Sequence, residues 1–147
     1  MTSFKNEIGK QVLILDGAMG TMVQNLGLTD TAFGGPEFKM LTDLLVFSRP
    51  DDLEGIHLEY LQAGANLIET DTFGASPLRL KEFNFSKFDP SDLKAIPDQL
   101  DMKTCSLESL TLELNIEGCR IAKRAIEKYR SQPDYDGRPL FVAGSIG

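Results

Sequence analysis

The chain has 147 residues, of which 41% are hydrophobic and 25% charged, a composition typical of one globular domain with a hydrophobic core. It carries 22 acidic and 15 basic residues and a formal net charge of -7, which argues against nucleic acid and anionic membrane surfaces as partners. The two cysteines, Cys105 and Cys119, are too few for a disulfide framework and lack the spacing of a metal site.

The N-terminal segment, residues 1–11, is polar and predicts a short lead-in to the first strand. It lacks the apolar stretch of a signal peptide. No later run of the chain approaches the roughly 20 apolar residues that a membrane-spanning helix needs. We therefore expect a cytoplasmic protein that has no membrane partner.

Branched aliphatic residues at 12–15, followed by Asp16 and a glycine-containing turn, predict a strand at about 12–16 that is buried on both faces. Ligands bind at the carboxyl ends of parallel strands, so Asp16 is a candidate site residue. The small residues after it would let backbone N–H groups hold an anionic ligand. The alternative is that Asp16 merely caps the next helix and the glycines form a tight turn.

The next stretch of chain predicts a helix and a second strand. Apolar residues recur every three or four positions over 51–63, which indicates a helix that Gly64 ends. His57, the only histidine, lies at the edge of this apolar stripe, and we interpret it as a packed or surface side chain rather than a catalytic base. Residues 65–74 then repeat the pattern of the first strand, with polar residues where the turn begins.

The two predicted strands are expected to be parallel neighbours, because a strand, a helix and a strand in succession form a right-handed crossover. Asp16 and the polar group Glu69–Phe73 then lie at the same end of the sheet. Two polar clusters at adjacent strand ends favour a binding site over capping alone. Residue spacing leaves open whether the two acids or the two threonines of this group point to the inner side of the sheet.

The remainder of the chain predicts two more helices and a third strand. Ser76 is a suitable N-cap for a short helix that runs through Phe83. Residues 85–105, with two prolines and scattered charges, indicate a surface insertion. A helical period then extends from 106 to about 130, and residues 140–147 predict the third strand. The candidate core positions of the long helix are Leu110, Leu114, Cys119, Ala122, Ile126 and Tyr129.

These elements predict an α/β fold with a parallel sheet of three strands. A sheet of three parallel strands is too small to be covered on both faces, and such sheets occur as parts of larger α/β folds. We therefore expect the chain to be part of a larger fold.

Several ordered motifs resemble the homocysteine S-methyltransferase family. They are Leu15–Met22, Asp43–Leu45, Ser48–Pro50, Ala63–Phe73 and Val142–Gly147. Their order and spacing match the family throughout, and several ordered motifs are more specific than any single one. Within the family, the chain resembles the N-terminal homocysteine-binding module of cobalamin-dependent methionine synthases.

The resemblance implies a (β/α)8 TIM barrel, of which residues 1–147 are the N-terminal part and hold the first three β/α units. The barrel would therefore be incomplete in this chain. In this family a zinc ion held by three cysteine thiolates ionises the thiol of homocysteine, which takes a methyl group to give methionine. The zinc ligands are expected beyond residue 147, and neither Cys105 nor Cys119 matches them. The resemblance to cobalamin-dependent methionine synthases implies methylcobalamin as the methyl donor of the full-length protein, and a methylated amine or a sulfonium compound stays open as the donor.

The resemblance also assigns substrate-binding residues at the two strand ends. Seven residues are expected to hold the amino-acid end of homocysteine or to line its pocket: Asp16, Gly17, Ala18, Met19, Asp71, Thr72 and Phe73. A carboxylate suits the ammonium group of the ligand, and backbone N–H groups suit its carboxylate. The family usually has asparagine where this chain has Asp71, which adds a negative charge close to Asp16. No catalytic residue and no metal ligand is expected in this chain.

The sequence is compatible with two functions of different classes. The first is a part of a homocysteine S-methyltransferase of the methionine synthase type, inactive as an isolated chain. Its partners would be homocysteine, the remainder of the barrel, and cobalamin and folate modules in cis or in trans. The alternative is a non-catalytic or vestigial α/β ligand-binding domain, since the zinc cysteines are absent from this chain.

Overall fold

The computed structural model describes residues 3–94, 96–97 and 100–145. The helices are α1 (Phe4–Glu7), α2 (Met19–Asn25), α3 (Leu45–Ser48), α4 (Pro50–Gln62), α5 (Pro77–Leu80) and α6 (Leu107–Arg130), and the strands are β1 (Leu67–Glu69) and β2 (Phe141–Ala143). Short 3-10 turns lie at Asp30–Phe33, Pro36–Phe38, Thr42–Leu44 and Phe85–Lys87. Within the described ranges, none of the helices combines the length and the apolar character needed to cross a membrane.

Three parallel segments form the sheet side of the molecule. β1 pairs in parallel with β2. On the other edge of β1, residues 14–16 join through one parallel bridge between Leu15 and Leu67. The Asp16 amide donates a hydrogen bond to the Leu67 carbonyl over 2.9 Å. The predicted parallel arrangement is therefore confirmed, with α4 and α6 in the two connections.

The first predicted strand is wrong in its extent and its burial. Among residues 12–16 only Leu15 is bridged to β1, and the side chains expected inside are 87% exposed at Val12, 55% at Ile14 and 49% at Leu15. The reason is that β1 is the one strand beside this segment in the described residues, so the opposite edge and one face stay open. The third strand is also shorter than predicted, and residues 146 and 147 lie outside the described residues.

The two long helices form where the apolar periodicity predicts them. α4 begins at Pro50, a residue suited to the first helical position, and has two acids in its first turn. α6 begins after Ser106, whose Oγ accepts a hydrogen bond from the Ser109 amide over 3.1 Å. The predicted core positions that are buried are Leu110, Leu114, Ala122, Ile126 and Tyr129. Cys119 is only partly buried, because the adjacent Gly118 occupies the inner side of the helix.

α4 and α6 lie side by side and cover one face of β1. Leu61 of α4 and Ala125 of α6 share a buried cluster with Ile68 of β1. At the surface of this layer, the Glu54 carboxylate of α4 accepts hydrogen bonds from α6 at 3.1 and 3.0 Å, from Arg124 and Lys128 respectively. The packing of these two helices on β1 sets the position of the residues that follow the strand.

Residues 85–105 contribute to the hydrophobic core. Phe88 is 1% exposed and its ring meets that of Phe38 edge-on at a centroid distance of 5.3 Å. Leu100 and Met102 are buried in the same cluster. That this segment is an insertion stays a prediction, but it does not lie wholly on the surface, and residues 95, 98 and 99 are outside the described ranges.

His57 is a buried side chain of α4. It is 1% exposed, and its Nδ1 atom has no hydrogen-bond partner in the described part of the chain. Burial lowers the pKa of His57 to about 4, although the charge of Glu54 acts in the opposite direction. The packed interpretation of His57 is therefore confirmed.

We expect acid to destabilise the fold through His57. The unfolded side chain, with its ordinary pKa of 6.5, takes up a proton before the folded one does. Its contribution to the free energy of unfolding is therefore full above about pH 6.5 and is lost as the pH falls towards about 4. Urea unfolding of the wild type and of His57→Leu across this range measures the effect. A stability difference between the two proteins that is independent of pH would contradict it.

Candidate functional site

Asp16 joins the ends of the first two parallel segments, a region that we call the mouth and define as Asp16–Met19 with Glu69–Phe73. Its Oδ2 atom accepts a hydrogen bond from the Glu69 amide over 3.0 Å. Its Oδ1 atom is buried and has no partner among the described residues. Burial raises the pKa of Asp16 to about 6 against the opposing Glu69 amide, and the Glu69 charge adds to the rise. The structure thus brings the two predicted polar clusters together.

The capping interpretation of Asp16 is wrong. α2 begins at Met19, and its N-cap is Ala18, whose backbone is left-handed at φ 43° and ψ 36° and whose side chain makes no capping bond. The amides of residues 17–21 donate to no acceptor in the described residues. Gly17 and Ala18 are exposed and Met19 is half-buried. The turn therefore presents free N–H groups next to the Asp16 carboxylate.

Thr70 and Thr72 point into the protein. Their hydroxyl oxygens lie 2.6 Å apart and share a hydrogen bond. The Ser145 amide donates to the Thr70 hydroxyl over 3.1 Å, and the Thr72 hydroxyl donates to the Ser145 carbonyl over 3.3 Å. This network ties the end of β1 to the end of β2 and occupies the side chain of Thr72. The two threonines are therefore the pair of this segment that faces the interior.

Asp71 is half-buried, and the charge of Asp43 acts on its carboxyl group. Its backbone is left-handed at φ 52°, a region that aspartate tolerates better than most side chains. Its Oδ2 atom is buried and has no partner among the described residues. Burial raises the pKa of Asp71 to about 8, the charge of Asp43 adds to the rise, the Thr42 hydroxyl opposes it, and Glu69 contributes least. Asp71 therefore keeps its proton at neutral pH.

Asp43, which the sequence pattern did not point to, is a buried acid that contacts the loop after β1. It is 5% exposed, and its Oδ1 atom accepts a hydrogen bond from the Gly74 amide over 2.8 Å. Burial raises the pKa of Asp43, whereas backbone amides, including that of Gly74, and the Arg79 guanidinium oppose the rise. The signal for it was a lone carboxyl within residues 41–47, a largely apolar run.

Two aromatic side chains border the acids. Phe73 is 69% exposed at the mouth. The pKa of Tyr60, near the end of α4, is raised by burial and by the charges of Asp16 and Glu59.

The described residues hold no group of three or more His, Cys, Asp or Glu side chains that could bind a metal ion. Cys105 and Cys119 are free thiols. The part of the chain that the structure describes does not supply the three thiolates that the resemblance implies for a zinc site.

We expect Gly118→Ala to destabilise the packing of α6 against Thr70 and Thr72, behind the mouth. A Cβ atom at Gly118 would lie 2.6 Å from the Thr70 carbonyl oxygen and from Thr72 Cγ2, so α6 would have to move. Overpacking of this kind costs about 1–3 kcal/mol of unfolding free energy. Gly55→Ala on α4 is the control, since nothing lies within 4 Å of its Cβ position and alanine favours a helix. Urea unfolding in which both variants behave alike would refute the close approach.

Asp71→Asn should stabilise the protein increasingly as the pH rises. The unfolded carboxyl ionises near 3.8 and the folded one near 8, so ionisation favours the unfolded state across this window. The stability gain over wild type should be smallest near pH 4 and level off above about pH 8. Asp134→Asn, at an exposed position, is the matched control. Urea midpoints at several pH values test this, and a gain that does not grow with pH would count against a buried neutral Asp71.

Comparison with known proteins gives the relatives of this chain. The family model for homocysteine S-methyltransferase matches residues 13–147. The metallated form of the homocysteine methyltransferase MmuM from Escherichia coli is 24% identical with a TM-score of 0.65, and the match covers 97% of this chain and 40% of that one. The oxidized form is 26% identical with a TM-score of 0.61, covering 95% and 39%.

The chain spans about two fifths of the length of these structures. The shared fold agrees with the predicted α/β class, and the family model covers nearly all of the chain. The resemblance noted from the ordered motifs is confirmed: the chain belongs to the homocysteine S-methyltransferase family.

Proposed function

We propose that the chain is the N-terminal part of a homocysteine S-methyltransferase barrel and that its mouth binds the amino-acid end of homocysteine. The observation that carries the proposal is the Asp16–Glu69 hydrogen bond, which leaves Asp16 Oδ1 without a partner beside free amides. The carboxylate can accept hydrogen bonds from the ligand ammonium, and the amides of residues 17–19 can donate to the ligand carboxylate. Family membership supports homocysteine as the amino acid.

Charge and burial at the mouth suit this ligand. A buried oxygen without a hydrogen bond costs free energy, which an ammonium group at Asp16 Oδ1 would recover. Because Asp71 keeps its proton at neutral pH, it adds no full negative charge against the ligand carboxylate. The exposed ring of Phe73 offers apolar surface to the aliphatic part of the ligand.

The remainder of the barrel is proposed to cover the open edges of the sheet. A groove of about 720 Å³ runs along β2 and the C-terminal half of α6, and Ile126, Leu140 and Val142 are among its lining residues. On the opposite edge, Val12 is 87% exposed. Apolar side chains at both edges support further β/α units packed there. Cobalamin and folate modules, in cis or in trans, are proposed on the motif resemblance alone.

Zinc and methylcobalamin are proposed only for the whole protein. The described residues do not fit a zinc site, so we propose that the zinc ligands lie beyond residue 147. We propose the methionine synthase type, with methylcobalamin as the methyl donor, from the resemblance of the sequence motifs. The residues of this chain are assigned to binding and orienting homocysteine.

A non-catalytic ligand-binding domain is the second candidate, and the lack of a metal-type donor cluster in the described residues favours it. Both candidates use the same mouth. Zinc content and methyl transfer, measured on a protein that continues through the remaining strands of the family barrel, separate them. Bound zinc with transfer to homocysteine supports the enzyme, whereas ligand binding without zinc supports the second candidate.

Asp16→Asn should weaken homocysteine binding by about 1–3 kcal/mol, because a charged hydrogen bond to the ammonium is lost. Calorimetric titration of the same extended protein measures the dissociation constant. Asp134→Asn removes the same charge at an exposed position and should leave the constant unchanged. Equal affinities for the wild type and Asp16→Asn would remove Asp16 from the binding site.

A further inference from the structure

We propose that Thr70 and Thr72 are positioning residues of the mouth, because their hydroxyl groups fix the end of β1 that holds the Asp16 carboxylate. This inference rests on the proposed function, in which Asp16 binds the ligand ammonium. The resemblance implies that Thr72 lines the pocket. In the structure its hydroxyl is bonded within the protein, so its effect on a ligand is indirect.

The two hydroxyl groups continue the sheet beyond the last paired residues of its strands. The ladder between β1 and β2 ends at Glu69 and Ala143. Beyond it, the Ser145 amide donates to the Thr70 hydroxyl over 3.1 Å, and the Ser145 carbonyl accepts from the Thr72 hydroxyl over 3.3 Å. The threonines therefore bind both backbone groups of one residue, as a neighbouring strand would.

The direction of each hydrogen bond in this network follows from its two ends. The Thr72 proton goes to the Ser145 carbonyl, so the Thr72 oxygen accepts in its 2.6 Å contact with Thr70. The Thr70 hydroxyl therefore donates to Thr72 and accepts from the Ser145 amide. Because each hydroxyl donates once and accepts once, replacing either of them by a methyl group removes two hydrogen bonds.

α6 shields the network from water. Thr70 is 1% exposed and Thr72 is 2% exposed. Gly118 permits this close packing, because a Cβ atom there would lie 2.6 Å from the Thr70 carbonyl oxygen and from Thr72 Cγ2. Hydrogen bonds shielded from water are stronger, and polar groups left unpaired in the interior are costly. The network therefore holds the end of β1 in one position.

Glu69, the residue before Thr70, connects the network to Asp16. Its amide donates to Asp16 Oδ2 over 3.0 Å, while Asp16 Oδ1 has no partner among the described residues. The Ser145 hydroxyl donates to the Glu69 carboxylate at 3.5 Å. A shift of β1 at this point would move the Glu69 amide and, with it, the Asp16 oxygen atom that the ligand ammonium needs.

Amide hydrogen exchange tests the network without any ligand. In the wild type, the amides of Ser145 and Glu69 should exchange slowly and the free amide of Gly17 fast. Thr70→Val removes the acceptor of the Ser145 amide and should raise the exchange rates of Ser145 and Glu69 about two- to tenfold. Thr70→Ser should restore slow exchange. A Ser145 amide that exchanges as fast as that of Gly17 in the wild type would overturn the proposal.

Homocysteine binding to the extended protein tests the effect on the mouth. Thr72→Val removes a hydroxyl at nearly constant shape, and we expect the dissociation constant to rise about two- to tenfold. Thr72→Ser keeps the hydroxyl and should retain most of the wild-type affinity. Thr111→Val on α6 is the matched control, since the Thr111 hydroxyl is buried without a partner in the described ranges. Lower stability alone leaves the dissociation constant of the folded protein unchanged, so an unaltered constant in Thr72→Val would overturn the proposal.

A double-mutant cycle shows whether Thr72 acts through Asp16. If it does, Thr72→Val should weaken binding much less in the Asp16→Asn protein than in the wild type. Equal factors in the two proteins would mean independent effects and would also overturn the proposal. If the wild type does not bind homocysteine, the proposed function fails, while the exchange rates still decide whether the threonines fix the end of β1.

Discussion

The parallel pairing of residues 14–16 with β1 is the constraint on which the candidate site depends. It places the Asp16 carboxylate against the Glu69 amide and brings two polar turns to one end of the sheet. A shift of one residue in this register would turn the Asp16 side chain to the other face. The register of this backbone pairing therefore determines which side chains meet at the mouth.

Local periodicity explains which parts of the fold the sequence predicts. α4 and α6 follow from apolar residues on one helical face together with the caps at Pro50 and Ser106, and all of this information lies within each segment. The segment at 12–16 was predicted as buried because its side chains are aliphatic, but burial depends on neighbouring strands that the segment itself does not specify. The alternation of side chains along residues 69–72 likewise predicted two faces. It did not show which of them packs against Gly118 of α6.

The site shows the same division between local and long-range information. Asp16 was found because a lone acid follows an apolar run at a turn. Asp43 was missed because its partner, the Gly74 amide, lies 31 residues away. A count of acids treats Asp71 as ionised, whereas burial raises the pKa of this carboxyl to about 8. Charge state is a property of the packed structure and is absent from the composition.

The pairing of β1 with β2 has a consequence for how the chain folds. The two strands are separated by α5, the segment 85–105 and all 24 residues of α6. Closing so long a loop costs chain entropy before any ladder bond forms, whereas a helix needs only local contacts. We therefore expect α6 to form early and the β1–β2 register to be set late. The Thr70–Ser145 contact would then be among the last native interactions to appear during refolding.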